Sequence, residues 1–282
     1  MNSIMKKFKS IYIVYVCIGL LSASLVGCQK EEGVQILPER NYVLVWSDEF
    51  DGAAGELVDS SNWSYDIGRG VDGWGNQELQ FYRDIADNVS LDGEGNLAIT
   101  ARNTPFGGAP FTSGRVKTKD LVSAQYGRIE ARVKLPYGPG LWPAFWMLGS
   151  NIDNVGWPQC GEIDILEYRG QEPFVTYGSV HGPGYSGGES IGSPYYLSND
   201  RFDKEFHVFA IEWGKNFIEY YVDGIRYQTV TPDDVDGEWV FNQPFYVLFN
   251  VAVGGTFVGF PTSGTPWPQT MLVDYIRVYE EQ

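Results

Sequence analysis

Three carboxylates lie within six residues of this chain, at Glu162, Asp164 and Glu167, and the residues between them are Ile163, Ile165 and Leu166. Large aliphatic side chains between acids describe a strand with a buried face rather than a solvated acidic loop. Side chains alternate along a regular strand, so Glu162 and Asp164 share one face and Glu167 points to the other. One extra residue at Ile165-Leu166, a β-bulge, returns Glu167 to the face of the other two. The acids then converge on one surface while the aliphatic side chains fill the core behind them.

Like charges held together cost free energy, and such an array suits hydrolysis of a glycosidic bond. That reaction needs one ionised and one protonated carboxyl, roughly 5–5.5 Å apart when anomeric configuration is retained. Mutual repulsion within the cluster would hold one acid protonated near neutral pH. A calcium site or an acidic strand edge is the plainer alternative. Calcium loops, however, place Gly and Asn between ligands rather than Ile and Leu. Clustered, perturbed carboxylates favour the catalytic reading.

The neighbouring segments are aromatic. Trp142 and Trp146 in Gly140–Met147 are evenly spaced and so share a strand face, Trp157 precedes the acidic strand, and Trp74 and Asn76 sit in a Gly-rich loop. Rings that stack on sugars, with a few placed polar groups, are expected of a glycan pocket. Any one of these rings also suits a core. Trp46, Trp63, Trp213 and Trp239 are assigned to core or edge packing, and Cys160 to a buried small hydrophobe.

The acidic strand belongs to a series of short apolar or alternating runs. These are Leu97–Ala101, Gly127–Lys134, Phe145–Leu148, Glu162–Tyr168, His207–Trp213, Phe217–Val222, Phe245–Val253 and Leu272–Tyr279. Asp92-Gly93, Asp223-Gly224 and Asp236-Gly237 carry hairpin-turn chemistry. Asn103–Lys119 and Gly182–Asn199 are expected to be long Gly-rich loops at the rim of a cleft. Regular strand-and-turn spacing, with 15% aromatic residues, 34 Gly and 15 Pro, indicates an all-β sandwich or barrel.

The first residues look like an address rather than fold. Lys6, Lys7 and Lys9 precede an apolar stretch, Ile11–Leu21, that is short for a bilayer span. Leu25-Val26-Gly27-Cys28 resembles a bacterial lipobox, which implies a lipoprotein signal peptide over residues 1–27, lipidation of Cys28 and a linker over 28–40. The run Gln29-Lys30-Glu31-Glu32 is similar to signals that send lipoproteins to the surface of Gram-negative outer membranes. Removing residues 1–27 takes away three lysines and no acid, leaving 17 basic and 36 acidic residues and a net charge of −19. That balance argues against nucleic acid and acidic polysaccharide as partners and leaves a neutral polymer. Cys17 leaves with the signal and Cys28 is acylated, so no disulfide framework remains.

Together these segments resemble glycoside hydrolase family 16, in its bacterial laminarinase-like branch. The resemblance runs through Trp46–Phe50, Gly73–Gln80, Gly127–Arg132, Leu141–Trp146, Gly161–Glu167 and Val273–Tyr279. It implies, over residues 41–282, a concanavalin A-like β-jelly roll of two antiparallel sheets with an open concave cleft, retaining and endo-acting. By position Glu162 would be the nucleophile, Glu167 the acid/base and Asp164 the assisting carboxylate. Trp74, Asn76, Trp142, Trp146 and Trp157 would bind an unsulfated glucan. His181 matches a cleft histidine, whereas His207 is taken as structural; Arg115 suits either a sugar hydroxyl or an acid partner. Family members often hold a structural calcium on the convex side, and Glu49 and Asp274 sit at matching positions that an ordinary surface pair also explains. Catalysis itself needs no cofactor.

The resulting expectation is a monomeric endo-β-1,3-glucanase, anchored by lipid at the outer-membrane surface, with mixed β-1,3/1,4-glucan as a second substrate. A mixed-linkage specialist, an agarase-type enzyme and a non-catalytic glycan-capture protein are the alternatives.

Overall fold

Period-two alternation of buried and exposed residues organises most of the chain. A computed structural model describes residues 40–282; the expectations for residues 1–27, Cys28 and the linker to Glu39 lie outside the described residues. In chain order the strands are β1 (Tyr42–Asp48), β2 (Ser64–Tyr65), β3 (Gln80–Tyr82), β4 (Val89–Leu91), β5 (Leu97–Ala101), β6 (Phe111–Ser113), β7 (Arg115–Lys117), β8 (Gly127–Lys134), β9 (Leu141–Gly149), β10 (Glu162–Tyr168), β11 (Val175–His181), β12 (Ile191–Tyr196), β13 (His207–Gly214), β14 (Phe217–Val222), β15 (Ile225–Val230), β16 (Phe245–Val253) and β17 (Gln269–Glu281). A single α-helical turn, α1 (Ile152–Val155), precedes β10.

The strands form a jelly roll of two large antiparallel sheets. One runs β15-β14-β13-β8-β17-β5-β4, with β1 also paired to β17. The other runs β12-β11-β10-β9-β16-β7-β2, and a short parallel pair, β3-β6, flanks them. Aliphatic and aromatic side chains from the facing surfaces fill one core, including Trp63, Phe145, Ile163, Leu166, Phe209, Trp213 and Phe249. The strand β16 is buried along its whole length, which explains its nearly continuous apolar sequence.

Local chemistry sets several connections. Asp223 and Gly224 both take positive φ, 50° and 77°, and close the two-residue β14–β15 hairpin. Asp92 accepts hydrogen bonds from the backbones of Glu94 and Asn96 at 2.7 and 3.0 Å, shaping the turn into β5. Asp236-Gly237, by contrast, closes no hairpin. It lies in the connection by which β15 of one sheet reaches β16 of the other. A Cβ on Gly237 would stand 1.7 Å from the Pro183 carbonyl, so this glycine answers a close backbone approach.

Two expected rim loops contain strands. Asn103–Lys119 holds β6 and β7, and Gly182–Asn199 holds β12. The first two are three residues each, too short to show a period. The strand β12 alternates cleanly but carries Pro194, which is accepted because it is an edge strand paired only to β11. The runs around Phe145 and Leu272 extend to nine and thirteen residues as β9 and β17.

The inward face of the cleft-bearing sheet is tested at Phe249, whose ring stacks on Phe145 at 4.7 Å and lies 6.0 Å from Trp63. Phe249→Ala should lower stability by about 3–5 kcal/mol, read by denaturant unfolding.

Candidate active site

The acidic strand carries the bulge that its sequence requires. Against β9, Asp164 pairs with Trp146 but Glu167 pairs with Ala144. Against β11, Asp164 pairs with Ser179 and Glu167 with Tyr177. Three steps along β10 thus match two on each neighbour, and Glu167 returns to the face of Glu162 and Asp164. Ile163 and Leu166 are fully buried behind them, with Ile165 nearly so. The three acids open into a cleft of about 730 Å³.

Neighbouring strands tie the acids together. Ser179 Oγ, opposite Asp164, donates to its Oδ2 at 2.8 Å and lies 3.4 Å from Glu167 Oε2. His181 Nε2 lies 3.1 Å from Asp164 Oδ2 and 3.9 Å from Glu162 Oε1. Its Nδ1 accepts the backbone N–H of Gly187 at 3.0 Å, so Nε2 carries the proton shared with Asp164. Glu162, Asp164 and His181 have metal-compatible spacing, yet both ring nitrogens are committed to hydrogen bonds. The trio is a proton-sharing cluster. Indole N–H groups complete it: Trp142 Nε1 donates to Glu167 Oε1 at 3.1 Å and Trp157 Nε1 to Glu162 Oε2 at 2.8 Å.

Burial is the main force on these acids and pushes all three above the ordinary carboxylate range. Charge on Asp164 raises Glu162 and Glu167 further, whereas His181 and the two indoles act in the opposite sense. The Ser179 hydroxyl counteracts burial at Asp164.

The rest of the cleft is aromatic and amide-lined. On β9 the outward residues are Trp142, Ala144, Trp146 and Leu148, and all four line it. Trp146 Nε1 donates to Asn250 Oδ1 at 2.7 Å. Arg115 is both partner and wall: it pairs with Asp66 at 2.9 Å while its guanidinium lies between Trp74 and Trp146, 4.8 and 4.6 Å from their ring centres. Trp74 is held in a left-handed conformation in the tight turn Gly73–Gln77. A Cβ on Gly73 would meet the Glu78 backbone at 2.5 Å, so this turn needs its glycine. Asn76 reaches Glu78 at 3.5 Å and its carbonyl accepts the N–H of Thr256 at 2.9 Å.

Every cleft residue singled out from the sequence therefore lines the cleft: Trp74, Asn76, Arg115, Trp142, Trp146, Trp157 and His181. Trp63 and Trp213 are core, and Trp46 and Trp239 pack against it. Cys160 is buried, with its thiol pushed up to about 11, chiefly by burial. His207 is buried in the other sheet with Nδ1 2.7 Å from Asp223. Glu49 and Asp274 are not gathered into a metal site. Arg277 grips Glu49 through two hydrogen bonds of 3.0 and 2.8 Å, and Arg132 holds Asp274, at a β17 bulge, at 2.7 Å. Two carboxylates already matched by guanidinium groups fit surface ion pairs rather than a divalent cation.

Sequence reasoning missed Glu78, Ser179, Asn250 and Phe257. Asn250 was detectable as the lone amide in Phe245–Val253, and Glu78 as an acid inside the Gly73–Gln80 motif. Glu78 is buried, with its carboxyl raised chiefly by burial, and it accepts from Gln80 and Tyr82 at 2.6 and 3.1 Å. Ser179 and Phe257 carried no local signal.

Residues 76–276 match the family model for glycosyl hydrolases family 16. This chain belongs to that family. It is a glycoside hydrolase. The chain is 39% identical to a β-glucanase of Rhodothermus marinus, over 92% of each protein. It is 38% identical to glucan endo-1,3-β-glucosidase A1 of Niallia circulans, over 85% of this chain but 38% of that longer protein. Among solved structures, the laminarinase catalytic domain of Thermotoga maritima superposes with a TM-score of 0.81 at 45% identity, covering 86% of this chain and 99% of that one.

The raised acids make stability fall with pH. A carboxyl whose folded pKa exceeds its unfolded value keeps its proton longer when native, so its contribution is full below the unfolded value, about pH 4. It is lost as pH rises through the folded value. Glu162→Gln should therefore raise the melting temperature at pH 8 by about 2–4 °C, as for about 1 kcal/mol in a chain this size. The gain should vanish near pH 4; calorimetry across this range checks it.

Proposed function

We propose that this family 16 hydrolase is a retaining endo-β-1,3-glucanase, with mixed β-1,3/1,4-glucan as a second substrate. The observation that carries this reading is the bulged β10, which presents Glu162, Asp164 and Glu167 together to a tryptophan-lined cleft. The laminarinase and glucan endo-1,3-β-glucosidase among its relatives support the choice of substrate. So does the composition of the cleft, whose guanidinium Arg115 is already matched by Asp66. A neutral glucan needs no free cation.

In the proposed reaction, ionised Glu162 attacks the anomeric carbon while protonated Glu167 gives its proton to the glycosidic oxygen. The C–O bond breaks and the new reducing-side fragment leaves as an alcohol. Esterification of Glu162 removes its charge, and the repulsion that kept Glu167 protonated falls. Glu167 then takes a proton from water as that water attacks the ester, and the β-configured product leaves with Glu162 restored. Asp164, held by Ser179 and His181, buffers the charge next to the nucleophile.

Glu162→Gln should reduce turnover of laminarin by at least about four orders of magnitude, by loss of the nucleophile, with glucan binding preserved; near-wild-type turnover would overturn the assignment. Glu167→Ala should be rescued by azide on a substrate with a good leaving group and yield the β-glycosyl azide. Digests of laminarin, barley mixed-linkage glucan, agarose and xyloglucan, with product sizing, test substrate and endo action together. Trp146→Ala should raise the Michaelis constant about tenfold or more, the size of a lost stacking contact, with little change in melting temperature. A collapsed melting temperature with an unchanged Michaelis constant would make the ring structural.

The same proposal places the enzyme at the outer-membrane surface through acylated Cys28, where a polymer too large to cross the membrane is first shortened. Several acyl chains on one cysteine give durable anchoring. Cys28→Ala should move the enzyme from the membrane to the soluble fraction, and protease added to intact cells should digest the wild type.

A further inference from the structure

Each of the two glutamates assigned to catalysis receives one indole N–H, and the indoles come from different parts of the fold. Trp157, between α1 and β10, serves Glu162 from the loop side, and Trp142, near the start of β9, serves Glu167 from the neighbouring strand. We propose that Trp142 and Trp157 are positioning residues that set the acidities of the two glutamates separately, each through its N–H on one carboxylate. The inference rests on the nucleophile and acid/base roles of the preceding reading.

The physical basis is directional. A donor aimed at a carboxylate oxygen favours the ionised form, so it lowers the pKa of the carboxyl it touches and leaves the other nearly alone. A lysine or arginine in the same space would act on the whole cluster and leave Glu167 unable to hold its proton. The cleft keeps its guanidinium groups engaged: Arg115 with Asp66, and Arg169 over Phe257 and Tyr177 with Glu172 at 3.5 Å. The other groups facing Glu162 are Asp164 and Glu167 on its own strand, His181 on β11 and the Cys160 thiol. Those facing Glu167 are Asp164 and Glu162 on β10, His181 and Ser179 on β11, and, from the opposite sheet, the Tyr220 hydroxyl. All of them stay in place when an indole becomes a phenyl ring.

Trp157→Phe and Trp142→Phe keep an aromatic face for the sugar and delete the N–H. With Trp157→Phe, Glu162 should become harder to ionise, and the acidic limb of kcat/KM on laminarin should rise by about one pH unit. The alkaline limb should stay, so the profile narrows. With Trp142→Phe, Glu167 should hold its proton longer, and the alkaline limb should rise by about the same amount, so the profile broadens. The limbs belong to the coupled pair, and ¹³C-carboxyl NMR titration of glutamate-labelled protein assigns each shift to its residue. If a Phe variant does not fold, a benzothienyl analogue at that position keeps the fused ring and removes only the N–H. Wild-type limbs in both folded variants, or the same limb moving in both, would overturn the proposal. Failure of the retaining reading would show separately, as an α-azide product from Glu167→Ala.

Discussion

The bulge in β10 is the constraint on which the site depends. A regular strand through Glu162–Tyr168 would send Glu167 into the core, where an unpaired carboxylate cannot be solvated. The extra residue lets Ile163, Ile165 and Leu166 stay packed while all three acids reach the cleft. The neighbouring strands then have little freedom. Ser179 and His181 must stand opposite Asp164 and Glu162, and Trp146 and Ala144 opposite Asp164 and Glu167. The register of the sheet therefore follows from the chemistry it carries, and the sandwich core supplies the apolar burial that holds it.

The cleft holds its three acids without a dedicated cation. Arginines in and around the cleft are neutralised by acids or stacked on rings, so the three carboxylates are tempered by neutral donors: two indoles, a serine hydroxyl and an imidazole fixed in one tautomer by the Gly187 amide. With no free cation beside them, burial and mutual repulsion keep at least one acid protonated near neutral pH, as glycosidic bond cleavage needs, and the cleft stays suited to an uncharged polymer. The arrangement costs folding free energy, offset by the aromatic and aliphatic interior of the sandwich.

What the sequence disclosed depended on the range of the signal. The long strands and the bulge were readable because period two, broken once between Asp164 and Glu167, is a local pattern. The tryptophan face of β9 followed from even spacing alone. The short strands β6 and β7 read as loop in the sequence because three residues show no period, and their pairing partners lie far along the chain. Asp236-Gly237 had turn chemistry, but its glycine serves a contact with Pro183 that only the tertiary fold creates. Glu49 and Asp274 suit a calcium site or a surface ion pair equally in the sequence, and their guanidinium partners Arg277 and Arg132 come from elsewhere in the fold. Ser179 matters because it faces Asp164, and Phe257 because its ring packs 5.1 Å from that of Trp142 in the cleft wall, and nothing near them in sequence says so.

The central claim is that the bulge makes Glu162 a nucleophile and Glu167 its acid/base. It is tested most directly by trapping the reaction halfway. A 2-deoxy-2-fluoro laminari-oligosaccharide with an activated leaving group slows both steps, the second more than the first, so a covalent intermediate accumulates. Peptide mass spectrometry of the inactivated enzyme should find one glycosyl group, attached to Glu162. A label on Glu167, or slow turnover that leaves no label and releases the α-anomer, would contradict the account.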